Sequence, residues 1–322
     1  MRYLARRFLH AVLLLAGATV VTFLFTALAP GNYFDEMRLN PRISRETLTA
    51  LKAHYDLDKP LGVRYLVWLK SLAHGEMGYS FAYNSPVSPL LAVRARNTLL
   101  LTITSTLLAW CIALPLGVWS AEYSGRWVDR LVTGVSAVLL VIPDIALALG
   151  LLTIVVHTRW LPAGGMVSMG SETLPFAARL WDLARHMLLP AAILVLGAQP
   201  LLVRHIRSAV AETIGEGFVR AAEAHGIPRG RLLWRYALPA AANPLISLFG
   251  FSIGALLSGS LLVEVVTSWP GLGPFLWKPS SRGTCMWSSA ASSYRHFFLL
   301  QEISSRTCCS SGPTRGYGRS DS

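Results

Sequence analysis

Charged residues are scarce in this chain of 322 residues: they make up 14% of it, whereas soluble domains carry roughly a quarter. Hydrophobic residues make up 53%, and they come in long blocks that give a mean hydropathy of +0.46. This composition excludes an ordinary soluble protein and indicates a membrane protein. The net charge of +12 would suggest nucleic acid in a soluble chain. Arginines beside apolar spans instead orient a membrane protein, so we expect no nucleic-acid partner.

Cysteine patterns and catalytic motifs are also lacking. The four cysteines have no histidine at ligand spacing and form no disulfide pattern. The chain has no Gly-x-x-x-x-Gly-Lys-Ser/Thr phosphate loop, and the glycine-rich stretch 271–273 lacks the lysine. No serine or cysteine triad can be argued, since histidines such as His10 and His157 lie at or near the ends of apolar runs. We therefore predict a protein that is not an enzyme and uses no cofactor or metal.

Long apolar runs are what the sequence does contain, and we interpret five of them as membrane spans, each close to the ~20 residues that cross a bilayer as a helix. They are Phe8–Ala29, Asn97–Ala121, Leu131–Val156, His186–Val203 and Ala240–Thr267. The first is longer than a signal-peptide core and is expected to remain uncleaved. Pro115, Pro143 and Pro200 are tolerable inside a bundle, where neighbouring helices satisfy the freed carbonyls. The predicted fold is all-α, a polytopic transmembrane helix bundle.

Arginines give the expected orientation of these spans. Arg2, Arg6 and Arg7 precede the first span, and further arginines lie in the segment 204–239. The two segments are an even number of spans apart, so they share a side. The positive-inside rule makes that side the cytoplasm, and the segment 31–96 then faces outward.

The segment 204–239 has the pattern of two short helices joined at a glycine. Gly217–His225 favours a helix, Gly226 suits a left-handed stop, and Pro228 suits the first turn of a second helix. Three interpretations fit: a solvated connection without a partner, a helix-turn-helix that reads DNA, or a docking element that inserts into a cleft of another protein. The DNA interpretation is disfavoured because membrane spans hold both ends of the segment close to the bilayer.

A signature within this segment resembles that of a known family. It consists of Arg220-Ala221-Ala222, three residues, Gly226, nine residues and Tyr236-Ala237-Leu238-Pro239. The inner-membrane permeases of binding-protein-dependent ATP-driven (ABC) importers carry a similar cytoplasmic signature of Glu-Ala-Ala, three residues, Gly, nine residues and Ile-x-Leu-Pro. Arginine stands in place of the glutamate, as is common in the dipeptide/oligopeptide branch, and Tyr236 stands in place of the isoleucine.

Further stretches look like the same branch. They are Leu57-Asp58-Lys59-Pro60-Leu61, Gly75–Ser80, Ser260–Glu264 and Ser268–Gly273. The resemblance covers about residues 1–276, with the stretches in the order that the family has. It implies a bundle of the ABC importer permease type.

The resemblance implies how such a permease would work. It implies import of dipeptides or oligopeptides by alternating access, with ATP hydrolysed by two separate ATPase subunits. A second homologous permease and an external substrate-binding protein complete the expected assembly in the cell inner membrane. Nickel or another small solute is the alternative substrate within the family. A stand-alone channel or secondary transporter is the alternative of another class, but it leaves the signature unexplained.

Candidate functional residues are found in the signature and among the acidic residues within the predicted spans. For contact with the ATPase, the resemblance implies Arg220, Ala221, Ala222, Gly226, Leu238 and Pro239. Glu264 and Asp144 are candidates for the translocation pathway, because an acid within a span is costly and usually faces a cavity or a partner. The alternative for Glu264 is that it lies near the outer end of its span and meets water.

The character of the chain changes after Trp277. Residues 280–322 are rich in serine, arginine and cysteine, and their longest apolar stretch, Phe297–Leu300, is far too short to span a bilayer. Family members continue here with a sixth apolar helix, so we interpret the tail as the product of a frameshift. A genuine divergent tail and a non-functional truncated product are the alternatives.

The frameshift interpretation predicts a definite result at the level of the gene. Reading the DNA beyond codon 278 in the other two frames is expected to reveal an apolar run of about 20 residues, the missing sixth span. If neither frame contains such a run, the tail is not a shifted sixth helix.

The expected organisation therefore has four parts. Residues 1–30 form a cytoplasmic N-terminus and first helix, and residues 31–96 form an outward-facing segment. Residues 97–276 form the permease core, which includes the segment 204–239. Residues 277–322 are the aberrant tail.

Overall fold

A computed structural model of the chain describes residues 2–28, 60–80 and 85–280. Part of the predicted outward-facing segment, including Leu57–Lys59 of its family-like stretch, lies outside the described residues. The tail predicted to be a frameshift product lies outside them beyond Ser280.

The described chain is almost entirely helical, so the all-α prediction is confirmed. The helices are α1 (Arg2–Leu28), α2 (Leu61–Ala73), α3 (Val87–Glu122), α4 (Trp127–Val141), α5 (Asp144–Thr158), α6 (Phe176–Ile214), α7 (Gly217–Ala224), α8 (Arg229–Leu232), α9 (Leu238–Ala240), α10 (Ala242–Val266) and α11 (Leu272–Ser280). A 3-10 turn, Ser171–Thr173, precedes α6, and a π-helical turn, Leu233–Ala237, joins α8 to α9. Two short antiparallel strands, β1 (Tyr79–Ser80) and β2 (Ser85–Pro86), precede α3.

Among the described residues, three helices are long and apolar enough to cross a membrane: α3, α6 and α10. They correspond to the spans predicted from Asn97, His186 and Ala240. At 1.5 Å per residue, the 39 residues of α6 extend over about 58 Å, well beyond the ~30 Å hydrocarbon core. The first predicted span is helical as α1, whose apolar stretch is Val12–Phe25.

The span predicted over Leu131–Val156 is helical but is divided into two helices, α4 and α5. α4 and α5 are apolar and long enough only as a pair, and they are bent by 99° where α5 begins at Asp144. Pro143 explains the break, because its ring disfavours helical backbone at the preceding residue, and Ile142 is extended with φ −76° and ψ 120°. If the pair is one crossing, the described residues hold four such crossings, with α1 as a further apolar helix.

One of two compact units is formed by three parts of the chain. Within the described residues these parts are 2–101, 154–190 and 257–280. A small core within this first unit joins Val87 and Leu91 of α3 to Leu272 and Phe275 of α11. The first unit thus packs the N-terminal end of α3 against the short helix that follows α10.

Of the described residues, 102–153 and 191–256 form the second compact unit. Its core contains small residues of α3, such as Ala109 and Ala113, together with Ile206 of α6. At Gly117 of α3, a Cβ atom would lie only 2.6 Å from Ile206 Cγ2. Small residues let membrane helices approach this closely, so the contact between α3 and α6 depends on them.

Candidate functional site

The helix–glycine–helix pattern predicted within the segment 204–239 is confirmed. α7 ends in a cap at Gly226, whose φ of +76° is a left-handed conformation that glycine adopts without steric cost. The Gly226 N–H donates to the Glu223 carbonyl at 2.9 Å, and the Ile227 N–H donates to the Ala222 carbonyl at 3.4 Å. This pair of bonds is a Schellman motif, which satisfies carbonyls that the helix end leaves free.

The second half of the segment is anchored in the core of the second unit. Pro228 immediately precedes α8 and has an extended backbone. Its carbonyl oxygen accepts a hydrogen bond from the Leu232 N–H at 3.0 Å. Leu232, Leu233 and Ala237 are buried along α8 and the π-helical turn. Leu233 belongs to the same hydrophobic cluster as Ile206 of α6. This half of the segment is therefore packed against α3 and α6.

The residues predicted to contact an ATPase divide between α7 and the anchored half. Arg220, Ala221 and Gly226 are exposed, and Ala222 is half-buried. The pair Leu238–Pro239 lies in α9, where the leucine is half-buried against the core of the second unit and the proline is exposed. The structure brings the first four together on one short helix and its cap.

Three aromatic side chains of the segment, Phe218, Trp234 and Tyr236, are exposed, and the sequence alone could not show this. Phe218 at the start of α7 is 49% exposed, and Trp234 in the π-helical turn is 51% exposed. Val219, the residue after Phe218, is only 1% exposed, and its burial holds α7 to the protein. Helical spacing alone does not distinguish an exposed aromatic residue from a core one. Exposed aromatic groups beside small residues are typical of surfaces that bind proteins.

An ion pair joins α6 to α4: its carboxylate, on Asp129, is buried, and the Arg207 side chain is 32% exposed. Arg207 donates from Nε to Asp129 Oδ1 at 2.5 Å and from Nη2 to Oδ2 at 2.7 Å. Asp129 is 5% exposed and also accepts from Ser120 Oγ at 2.6 Å and from the Gly125 N–H at 2.8 Å. The carboxylate thus links the last turn of α3, the turn after it, the first turn of α4 and α6.

The sequence alone did not predict this ion pair. Arg207 counted only as one of several arginines in the segment 204–239, and Asp129 lies 78 residues away from it. Removing Arg207 would leave the buried carboxylate of Asp129 without its charged partner, which destabilises the fold.

Glu264, a candidate for the translocation pathway, is enclosed by the protein. The residue is 0% exposed, so the alternative that it meets water at the end of its span is wrong. Its Oε2 accepts the Gly273 N–H at 2.7 Å. The neighbouring Leu272 N–H donates to Thr98 Oγ1 on α3 at 2.9 Å. A role for Glu264 in translocation stays a prediction.

The turn after α10 is held against α3 by side-chain hydrogen bonds. Trp269 is 0% exposed, and its Nε1 donates to the Asn97 carbonyl at 3.2 Å. Asn97 Nδ2 donates in return to the Pro270 carbonyl at 2.9 Å. The family-like stretch Ser268–Gly273 therefore has a structural role in this chain: its tryptophan and proline hold the turn against α3.

The two glycines of this turn lie directly against α10. A Cβ atom at Gly271 would be 2.5 Å from the carboxylate of Glu264. A Cβ atom at Gly273 would overlap the carbonyl oxygen of Leu261 and lie 3.0 Å from Glu264 Cβ. Neither position has room for a side chain while Glu264 keeps its place.

Asp144, the other candidate for the pathway, lies at the break between α4 and α5. It is exposed and begins α5. A Cβ atom at Gly197 of α6 would lie 3.3 Å from Asp144 Oδ1. The carboxylate therefore sits next to a glycine of a spanning helix, and its role in translocation stays a prediction.

A known family of transport proteins matches the part of the chain that contains these segments. Residues 113–294 match the binding-protein-dependent transport system inner membrane component family. The match covers more than half of the chain. It includes α4 and its ion pair with α6, the whole segment 204–239, and the turn that encloses Glu264.

Three named relatives are similar to this chain along most of their length. An oligopeptide transport system permease protein, AppB, of Bacillus subtilis is 34% identical over 84% of this chain and 84% of its own length. The dipeptide transport system permease protein DppB of Escherichia coli is 31% identical over 86% of each chain. The probable D,D-dipeptide transport system permease protein DdpB of Escherichia coli is 33% identical over 82% of each.

A solved structure has the same fold in part. An inward-facing conformation of the MetNI methionine ABC transporter contains a chain that aligns with a TM-score of 0.52 and 21% identity. The alignment covers 68% of this chain and 94% of that one. At this identity the likeness concerns the fold.

Proposed function

The chain belongs to the family of binding-protein-dependent transport system inner membrane components, and on that basis we propose that it is the permease of an importer for dipeptides or oligopeptides. Since it has no phosphate loop of its own, two separate ATPase subunits would hydrolyse the ATP. A second homologous permease would complete the pathway, and an external binding protein would deliver the substrate.

The peptide assignment is supported by the relatives. The Bacillus subtilis protein is named for oligopeptides, and the two Escherichia coli proteins are named for dipeptides and D,D-dipeptides. Their identities of 31–34% extend over more than four fifths of this chain.

The observation that carries the coupling proposal is the exposed helix α7 with its fixed ends. Val219 anchors its first turn, and the Gly226 cap fixes its last. Ala221 presents only a methyl group, so a groove on a partner can approach the helix backbone closely. Closure of two ATPases around such helices would shift a pair of permeases between inward-open and outward-open states, which is a rigid-body form of switching.

This role requires the segment 204–239 to lie in the cytoplasm, and we propose that the N-terminus lies there too. Arginines of both segments support this orientation through the positive-inside bias. Counting α1 as a crossing, and α4 with α5 as one crossing, gives four crossings between the two segments, an even number.

Replacing Arg220 with glutamate is expected to weaken binding of the ATPase about tenfold at low salt, since ~1.4 kcal/mol is a factor of ten. Arg220 is exposed on α7, where it would pair with an acidic group of the ATPase, and the substitution replaces attraction with repulsion. Co-purification of the ATPase with the permease, measured over a range of salt, reads out the effect, which should shrink as salt screens the charges.

Arg229→Glu is the matched control for this variant. Arg229 is also exposed, but it lies on α8, among the nine residues that the signature leaves unspecified, so its variant should retain the ATPase. Equal retention of the ATPase by Arg220→Glu and by the unaltered permease would overturn the docking role of α7.

Reconstitution tests the function as a whole. The complete importer in proteoliposomes is expected to take up labelled dialanine and trialanine only when ATP and the binding protein are both supplied. Uptake by this chain alone, without ATP, would instead make it a channel or secondary transporter. Uptake of nickel ions but of neither peptide would replace the proposed substrate class.

A further inference from the structure

Arg207 and Asp129 lie close to the point where α6 leads into α7. Arg207 lies seven residues before α6 ends at Ile214, and only Gly215 and Glu216 separate α6 from α7. Within that last part of α6, Val210 is 0% exposed and belongs to the core of the second unit. A push on α7 is therefore delivered almost directly to the end of α6.

The contact at Arg207 is shaped to resist rotation and sliding. Its guanidinium uses two parallel hydrogen bonds to the carboxylate of Asp129, a geometry that fixes direction as well as distance. Its Nη2 also donates to Ser124 Oγ at 3.3 Å. The carboxylate itself cannot turn away, because Ser120 and the Gly125 N–H donate to its two oxygens.

We propose that Asp129 and Arg207 are a positioning pair that makes the α3–α4 hairpin move together with α6 when the ATPase moves α7. The proposal rests on the function proposed above. Through this pair, the displacement of one short helix is applied to three longer ones at once. Without it, the end of α6 would still be held by apolar contacts around Ile206, which resist separation but allow sliding and rotation.

An alternative explanation is that the pair only stabilises the fold. The two explanations differ in what they predict for variants in which no buried charge is left unpaired. A pair with only a structural role can be replaced by neutral groups with little loss, since removing both charges also removes their desolvation cost. A positioning pair cannot, because neutral amides lack the two parallel charged bonds that fix direction.

The decisive measurement is the number of peptides transported per ATP hydrolysed. It is made on the complete importer in proteoliposomes, with labelled dialanine and trialanine as probes. Arg207→Lys keeps the charge but loses the fork of two donors, and Asp129→Asn with Arg207→Gln removes both charges. We expect both variants to assemble with the ATPases and to hydrolyse ATP. Both should transport about fivefold fewer peptides per ATP, at the lower end of measured couplings between sites.

The matched control is Arg204→Lys, one turn earlier on α6, where the arginine is exposed and makes no ion pair with a described residue. It should transport as many peptides per ATP as the unaltered importer. An unchanged ratio in both Arg207→Lys and the neutral double variant would overturn the proposal, even if Asp129→Asn alone failed to fold. Failure of the unaltered importer to couple ATP to peptide uptake would instead overturn the proposed function.

Discussion

Replacing Gly226 with valine is expected to leave the permease folded in the membrane but to lower ATP-driven uptake about tenfold or more, within the range of measured couplings between sites. The position has open space, with no atom within 4 Å of a built Cβ, so the effect arises from the backbone alone. A left-handed conformation costs an ordinary residue about 1–2 kcal/mol, and a β-branched one still more. Valine should therefore undo the cap of α7 and the bond from Ile227 to Ala222.

Gly226→Asn is the control that isolates this cause. Asparagine tolerates the left-handed region far better than valine and is also found at helix caps. Both variants are measured for amount in the membrane, ATP hydrolysis and peptide uptake. The asparagine variant should keep most of the uptake, whereas the valine variant should hydrolyse ATP without transport. Normal uptake by Gly226→Val would contradict the role of α7 in coupling.

Replacing Gly273 with alanine is expected to have the larger effect on folding. Here the obstacle is contact rather than conformation, because the added methyl group would overlap the Leu261 carbonyl and press on Glu264. Overpacking of a core costs about 1–3 kcal/mol, and the upper end is expected because one of the obstructing atoms belongs to helix backbone. The amount of monodisperse protein after detergent extraction, and its thermal unfolding, measure the loss.

The matched control is Gly230→Ala. Gly230 lies within α8, and a Cβ atom there would meet nothing within 4 Å. Since alanine favours helix over glycine by about 1 kcal/mol, this variant should be at least as stable as the unaltered chain. A Gly273→Ala variant that extracts and unfolds like Gly230→Ala would show that the turn does not lie against α10 as described.

Local features of the site could be predicted from the sequence because their causes are local. The cap at Gly226 depends on a glycine and on hydrogen bonds within six residues, and the helix start after Pro228 depends on one proline. The apolar runs likewise predicted α3, α6 and α10, because a helix that satisfies its own backbone is the simplest way to cross a bilayer.

Features that depend on distant parts of the chain could not be predicted. The pair of Asp129 with Arg207 exists only because α4 and α6 pack together, and the burial of Glu264 exists only because a later turn folds back over it. The break at Pro143 is an intermediate case. The sequence shows the proline, but a proline within a span can cause either a mild kink or a sharp bend such as the 99° observed here. The packing of neighbouring helices decides which of the two forms.

The close fit around Glu264 also limits how this turn can diverge during evolution. At position 271 the obstacle is the end of a side chain, so an alanine there becomes acceptable together with a shorter residue at 264. At position 273 the obstacle includes a main-chain oxygen, which no exchange of side chains removes. Of two glycines two residues apart, one can change through paired substitution, and the other is fixed for as long as the turn is kept.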